Sequence, residues 1–478
     1  MPGMKRVGIL IVAVLVLYEA AVLITHPWTG RSAQPYRGEA YARESGELES
    51  RPASAANADR APVTGPLSTR QAPGWMGEVP FDASADDWEP TVAADPNSPF
   101  VYRLTTRYGT PPCAGCPNPQ IVFQASSDGG ASWDPARPVS APEGVAGQYD
   151  PQIGVGADGI VHAVWSDGGV IVHTSSADHG ETWSEPVDIM GWLQFGDKPW
   201  LAVSPDGSDL YVAFHGPANA VAASHDGGST WSSPVVMAPE GEVVFASGGA
   251  VGPSGSVSFV GTSLEGSMDE GVRLYGSDAI RIVVYTSNDR GSTFTSQVLD
   301  SGAVPIVCGM ERTCEPEHFD SQVSIAADAS GDLAVVYNLA STPKGPLPVY
   351  LRTSSSAGWS RRTRLSPPRT AAGEPVISSA PAVTGAGRGE FHLMFQDDRT
   401  GRWNTWYRAT SNGGKDWTAP VRLSDARAGA RYKRAAGYTA AYGDYGGIAV
   451  NARGQVVVVW GEGVSERGPG GSWSNLQT

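Results

Sequence analysis

SSDGGASW (Ser126 to Trp133), SADHGETW (Ser176 to Trp183), SHDGGSTW (Ser224 to Trp231) and SNDRGSTF (Ser287 to Phe294) share one frame, Ser-x-Asp-x-Gly-x-(Ser/Thr)-(Trp/Phe). A fifth copy, TSNGGKDW (Thr410 to Trp417), keeps the frame with Asn412 in place of the acid. Each copy follows a short alternating strand, such as IVFQAS (Ile121 to Ser126) or IVVYTS (Ile282 to Ser287), and most lead into a second one, as in TWSEPV or DWTAPV. The octapeptide therefore reads as a hairpin turn. Its Asp can bond the turn's own backbone, its Gly can take positive φ, and its aromatic ring packs beneath. A turn that recurs in unit after unit answers to the fold, so Asp128, Asp178, Asp226, Asp289 and Asn412 are expected to be structural.

Upstream of the turns runs a second hairpin pattern, in which a strand, a small polar turn and another apolar strand follow one another. It begins at Glu89 (EPTVAADPNSPFVYRL), Asp150 (DPQIGVGADGIVHAVW) and Asp197 (DKPWLAVSPDGSDLYVAF), with diverged copies near Ala246, Phe319, Ser379 and Tyr445. Seven inner hairpins and six outer ones give four antiparallel strands per unit, repeated radially. The expected fold is all-β, a single propeller of seven four-stranded blades, or six if the copy at Ala246 is misread. The last blade lacks a full outer hairpin, which the segment before Asp86 or the GGSWS tail must supply.

Charge and composition remove one class of partner. The 478 residues carry a formal charge of -15 and no basic stripe, so a nucleic-acid backbone is not expected. Glycine (59) and proline (37) are abundant, which suits short strands and tight turns. Lys5 and Arg6 precede an apolar run from Val7 to Ile24, interrupted by Glu19. This polarity marks residues 1–30 as a secretory signal or a membrane anchor. The whole run approaches the roughly 20 residues that span a bilayer, which favours an anchor and an extracytoplasmic domain. Residues 31–80 lack apolar periodicity and read as a disordered linker, leaving 81–478 for the propeller. In an exported chain the pairs Cys113/Cys116 and Cys308/Cys314 are expected to be disulfides, with zinc held by all four as the alternative.

In a four-stranded blade the turns after the first and third strands share one face, and the other two connections share the opposite one. The octapeptides thus belong to a face of tight turns. The long, individual loops (about 104–119, 263–280, 300–319, 340–348, 366–379 and 424–444) belong to the other face, where binding and catalysis usually sit. At the first-strand entries on that face stand Asp87, Asp150, Asp197, Asp320 and Asp444, with Trp88, Tyr149, Trp200, Phe319 and Tyr445 beside them. Arg103, Asp167, His215, Asp397, Asp398, Arg399 and Glu462 are read at the second-strand exits. Carboxylates for hydroxyl groups and flat rings for stacking suit sugars, and oxygen ligands also suit Ca²⁺. His318 is a further candidate ligand or acid.

The hairpin repeat resembles the Asp-box, or BNR, repeat of the sialidase-like propeller superfamily, over about residues 85–460. That resemblance implies a propeller whose function is open, because the superfamily holds sialidases, other glycoside hydrolases and non-catalytic binding propellers. For a sialidase it implies an arginine cluster for the substrate carboxylate, a tyrosine nucleophile and an Asp acid/base. Arg103, Arg273 and Arg399 would supply the cluster, Tyr442 or Tyr445 the nucleophile, and Asp86 or Asp87 the acid. The superfamily's Arg-Ile-Pro motif is absent, and no Arg lies between Gln71 and Arg103. The expectation is therefore an exported, membrane-tethered propeller that binds a glycan or envelope partner through its long-loop face. A sialidase-type exo-glycosidase acting on an anionic sugar is the alternative.

Overall fold

The computed structural model describes residues 31–32, 72–82, 85–109, 115–142, 144–216, 218–238, 242–265, 279–303, 322–342, 346–370, 373, 376–400, 404–424, 445–463 and 470–478. Within them, seven antiparallel sheets of four strands follow one another along the chain. Each innermost strand packs against that of the next sheet, and the seventh packs against the first, closing a ring. The first blade holds Asp86–Ala94, Val101–Tyr108, Gln120–Ser126 and Arg137–Pro138. The second begins with Gln148–Val155 and Val161–Asp167, and the third with Asp197–Val203 and Leu210–His215. The doubtful copy near Ala246 is a genuine inner strand, Glu242–Val251, so the count is seven and not six.

Closure of the last blade uses both expected sources at once. Its first two strands are Gly447–Val450 and Val456–Gly463, the tail supplies the third as Gly470–Leu476, and Val79–Pro80 from the start of the domain supplies the fourth. Trp75 is buried beside Tyr407 and Trp460, and it faces Tyr407 edge-on at 4.9 Å. Packed structure thus begins ahead of Phe81, inside the stretch expected to be linker. The pair Arg31–Ser32 also bridges to Thr230–Trp231. The apolar run Val7 to Ile24 lies outside the described residues, among which no helix is long and apolar enough to cross a membrane.

The octapeptides fold as their composition dictates. Ser126 Oγ donates to Asp128 Oδ1 (2.8 Å) and accepts from the Gly130 amide (2.8 Å). Asp128 in turn accepts from the Ser132 amide and hydroxyl. The same set recurs at Ser176/Asp178/Thr182, Ser224/Asp226/Thr230 and Ser287/Asp289/Thr293. With Asn412 it becomes Thr410/Asn412/Asp416. Bonds from Thr182 and Thr293 pull the Asp178 and Asp289 carboxyls down to about 2. Gly180 sits at φ +83°, and a Cβ there would lie 2.3 Å from the Phe123 ring, so only glycine lets one blade's turn rest on its neighbour.

Candidate functional site

Proline shapes the opposite mouth. Pro90, Pro151, Pro199 and Pro381 each stand near the entry of an innermost strand, and proline has no N–H to give to the ladder. The register slips there, so that two residues oppose one, between Trp88 and Thr91, Tyr149 and Gln152, Asp197 and Trp200, and Ser379 and Ala382. The residue before each proline takes a left-handed backbone: Glu89 (φ 57°), Asp150 (54°), Lys198 (45°) and Ala380 (47°). A non-glycine residue costs roughly 1–2 kcal/mol in that conformation, and backbone strain of this kind gathers at functional sites.

Three of the four strained residues are charged and are linked across blades. Glu89 Oε2 accepts from Thr106 Oγ1 (2.6 Å) within the first blade and from the Asp150 amide (3.0 Å) of the second. Asp150 Oδ1 then accepts from Lys198 Nζ of the third at 3.3 Å. Both acids are buried, while Lys198 stays half-buried at the mouth. In the sixth blade the same junction is neutral, with Gln322 Oε1 accepting from the Ala380 amide and Ser379 Oγ.

Beside this chain two half-buried rings meet. Tyr445, at the entry of the seventh blade, lies 5.3 Å from the Trp200 ring of the third and donates its hydroxyl to the Pro151 carbonyl of the second (3.3 Å). One side chain thereby crosses the mouth of the ring. In the third blade Asp197 and His215 stand directly opposite each other at the mouth end of the ladder.

The other expected residues divide sharply. Asp87 is fully buried and bound by Arg107 through Nε (2.7 Å) and Nη2 (2.8 Å), with Asp82 on the far side of the same guanidinium at 3.3 Å. Burial pushes the Asp87 carboxyl up, and the Arg107 bonds pull against it. Arg103 is not at a strand exit, because the strand runs on to Tyr108. It is 1% exposed, bonded to Gln124 and Ser474, and sandwiched between Phe81 (3.7 Å) and Trp133 (4.0 Å). Burial lowers its pKa, and its role is to join the first blade to the last. Arg399 clamps buried Asp397 with Nε and Nη2 and stacks on Trp406 at 4.1 Å, in the sixth blade. Burial raises Asp397, against that clamp.

Asp398 braces its loop by accepting from the Ile377 amide, and Glu462 accepts from Trp460. Asp167 is almost wholly buried, and burial pushes its carboxyl up to about 7 despite the nearby Gln148 amide and Trp165 indole. Tyr442, Asp320, Asp444, Arg273 and His318 lie outside the described residues, as do Cys113, Cys308 and Cys314. Cys116 is the one cysteine within them and is not free. Among the described residues no group of three or more His, Cys, Asp or Glu side chains is placed to hold a metal ion.

The sequence reading missed Arg107 and Lys198. A proline at four of the seven innermost-strand entries was the available signal, because the bulge at Pro90 moves the ladder by one residue and brings Arg107, not Tyr108, opposite Asp87.

No family model matches the chain, and no curated protein matches it. Solved structures do. A polysaccharide lyase described as an ulvan lyase aligns at 13% identity over 82% of this chain and 94% of its own, with a TM-score of 0.50. A Hadza microbial sialidase aligns at 15% identity over 81% and 65%, with a TM-score of 0.42. The NanB sialidase of Streptococcus pneumoniae aligns at 12% identity over 76% and 71%, with a TM-score of 0.45. At such identities the likeness is one of fold.

Proposed function

We propose that this chain is a glycan-binding propeller whose ligand sits at the loop-face mouth, on the Trp200–Tyr445 pair and beside the Glu89, Asp150 and Lys198 chain. One observation carries this reading. Two half-exposed aromatic rings from distant blades meet at the ring's mouth next to charged groups held on strained backbone, and flat rings flanked by polar groups suit a sugar's apolar face and its hydroxyls. The repeat's resemblance to the Asp-box propellers, and the lyase that acts on a polysaccharide, point to the same ligand class. The sialidase-type alternative loses support, since Arg103 is sealed between blades and Arg399 is committed to Asp397.

The test uses the chain from Ala61 onward on a glycan array and on a fluorogenic sialoside. Binding without turnover is expected, and Trp200→Ala should abolish it in a protein that remains folded by circular dichroism, with a lowered melting temperature because the ring also packs on the cluster between two blades. Sialoside turnover lost in Arg399→Ala would restore the enzyme reading. The segment Val7 to Ile24 would hold the domain at the outer surface of the membrane. Release of the full chain from membranes by alkaline carbonate would refute that placement.

A further inference from the structure

The side of the third blade that faces the fourth carries two hydrogen-bond acceptors and a ring. Asp197 and His215 are paired in the ladder, so their side chains leave the sheet on the same side. Trp200 is paired with Ala213, two residues before His215, and so shares that side. The imidazole lies 4.7 Å from Phe245 of the fourth blade, and Trp200 packs on the apolar cluster between the two blades.

Neighbours settle which nitrogen of His215 carries the proton. Nδ1 lies 3.2 Å from the Val244 carbonyl oxygen and 3.2 Å from Asn219 Oδ1. A carbonyl can only accept, so Nδ1 is the donor. In the neutral ring Nε2 is then a lone pair. Neither that nitrogen nor the Asp197 carboxylate bonds another described residue, and both side chains are half-buried.

Asp197 and His215 Nε2 are both acceptors, which restricts what can bind against them. A carboxylate or sulfate would meet a like charge and a lone pair, whereas hydroxyl groups would satisfy both. We propose that this mouth end of the third blade is a subsite for a neutral, hydroxylated sugar ring, which donates one hydroxyl to Asp197 and one to His215 Nε2 while lying on Trp200. The proposal rests on the glycan-binding reading and narrows it, placing any anionic group of the ligand elsewhere.

The full chain is to be measured on immobilised neutral hexose oligosaccharides and on the same chains oxidised at C6 to uronates. The protein should prefer the neutral chains. Asp197→Asn and His215→Ala should each weaken that binding about tenfold, and His215→Gln, whose amide oxygen can replace the lone pair, should recover part of it. Equal or tighter binding of the uronates, or neutral binding indifferent to both substitutions while Trp200→Ala still abolishes it, would remove the subsite and leave the glycan reading standing. Failure to bind any saccharide would remove both.

Discussion

On the turn face, Asp128, Asp178, Asp226 and Asp289 are each held by a hydroxyl two residues back and by an amide and a hydroxyl four residues ahead. At the opposite mouth, Glu89 reaches into the second blade and Asp150 accepts from the third. The first arrangement is local and needs nothing beyond eight residues. The second couples blades and uses left-handed backbone before proline. A carboxylate satisfied by its own turn is a fold device, while one that depends on its neighbours marks the place where the ring presents chemistry.

Substitutions can break or sharpen that contrast. The largest effect is expected at Asp87→Ala, which strips buried Arg107 of its bidentate partner and should destabilise the fold by roughly 3–5 kcal/mol in urea titration. A loss as small as a turn mutant's would erase the difference between the faces. Asp167 should show in the pH dependence. An acid whose folded pKa is raised to about 7 keeps its proton in the fold and loses it when unfolded. Its contribution is therefore full at low pH and is lost as pH climbs from about 4 to about 7, by roughly 2–4 kcal/mol. Asp167→Asn should flatten that part of the stability profile, and an unchanged slope would refute the assignment.

Asp226→Ala is expected to cost about 1–2 kcal/mol, because it removes local, partly solvated bonds, and to leave glycan binding untouched. Altered binding in a stably folded Asp226→Ala protein would move the ligand to the turn face. Smallest is Ala380→Gly. It relieves a left-handed residue with no side-chain bond to lose, so thermal melting should show a gain of about 0.5–1 kcal/mol. A loss instead would mean that the strain is not there.

Much of the scaffold was legible in advance. The frame Ser-x-Asp-x-Gly named its own hydrogen bonds, and the paired hairpins counted the blades, including the diverged copy at Glu242–Val251. The site was legible only as single residues. Trp200, Tyr445, Asp150, Asp197 and His215 were all flagged, yet nothing in their spacing said that Tyr445 would cross to Trp200 or that Lys198 would meet Asp150. Arg103 lies away from the mouth because its strand extends five residues beyond it, to Tyr108, and Arg107 takes the place opposite Asp87 because a proline bulge shifts the register by one.

By itself, the sequence determined the repeating unit and its turn chemistry, since those bonds run between residues two to four apart and form wherever the octapeptide occurs. The tertiary structure alone decided which side chains meet at the mouth. Ring closure brings the seventh blade against the first and across to the third, and each bulge chooses the side of the sheet on which a residue emerges. Ring closure leaves no periodic trace along the chain, and the bulges leave only a proline at four of the strand entries.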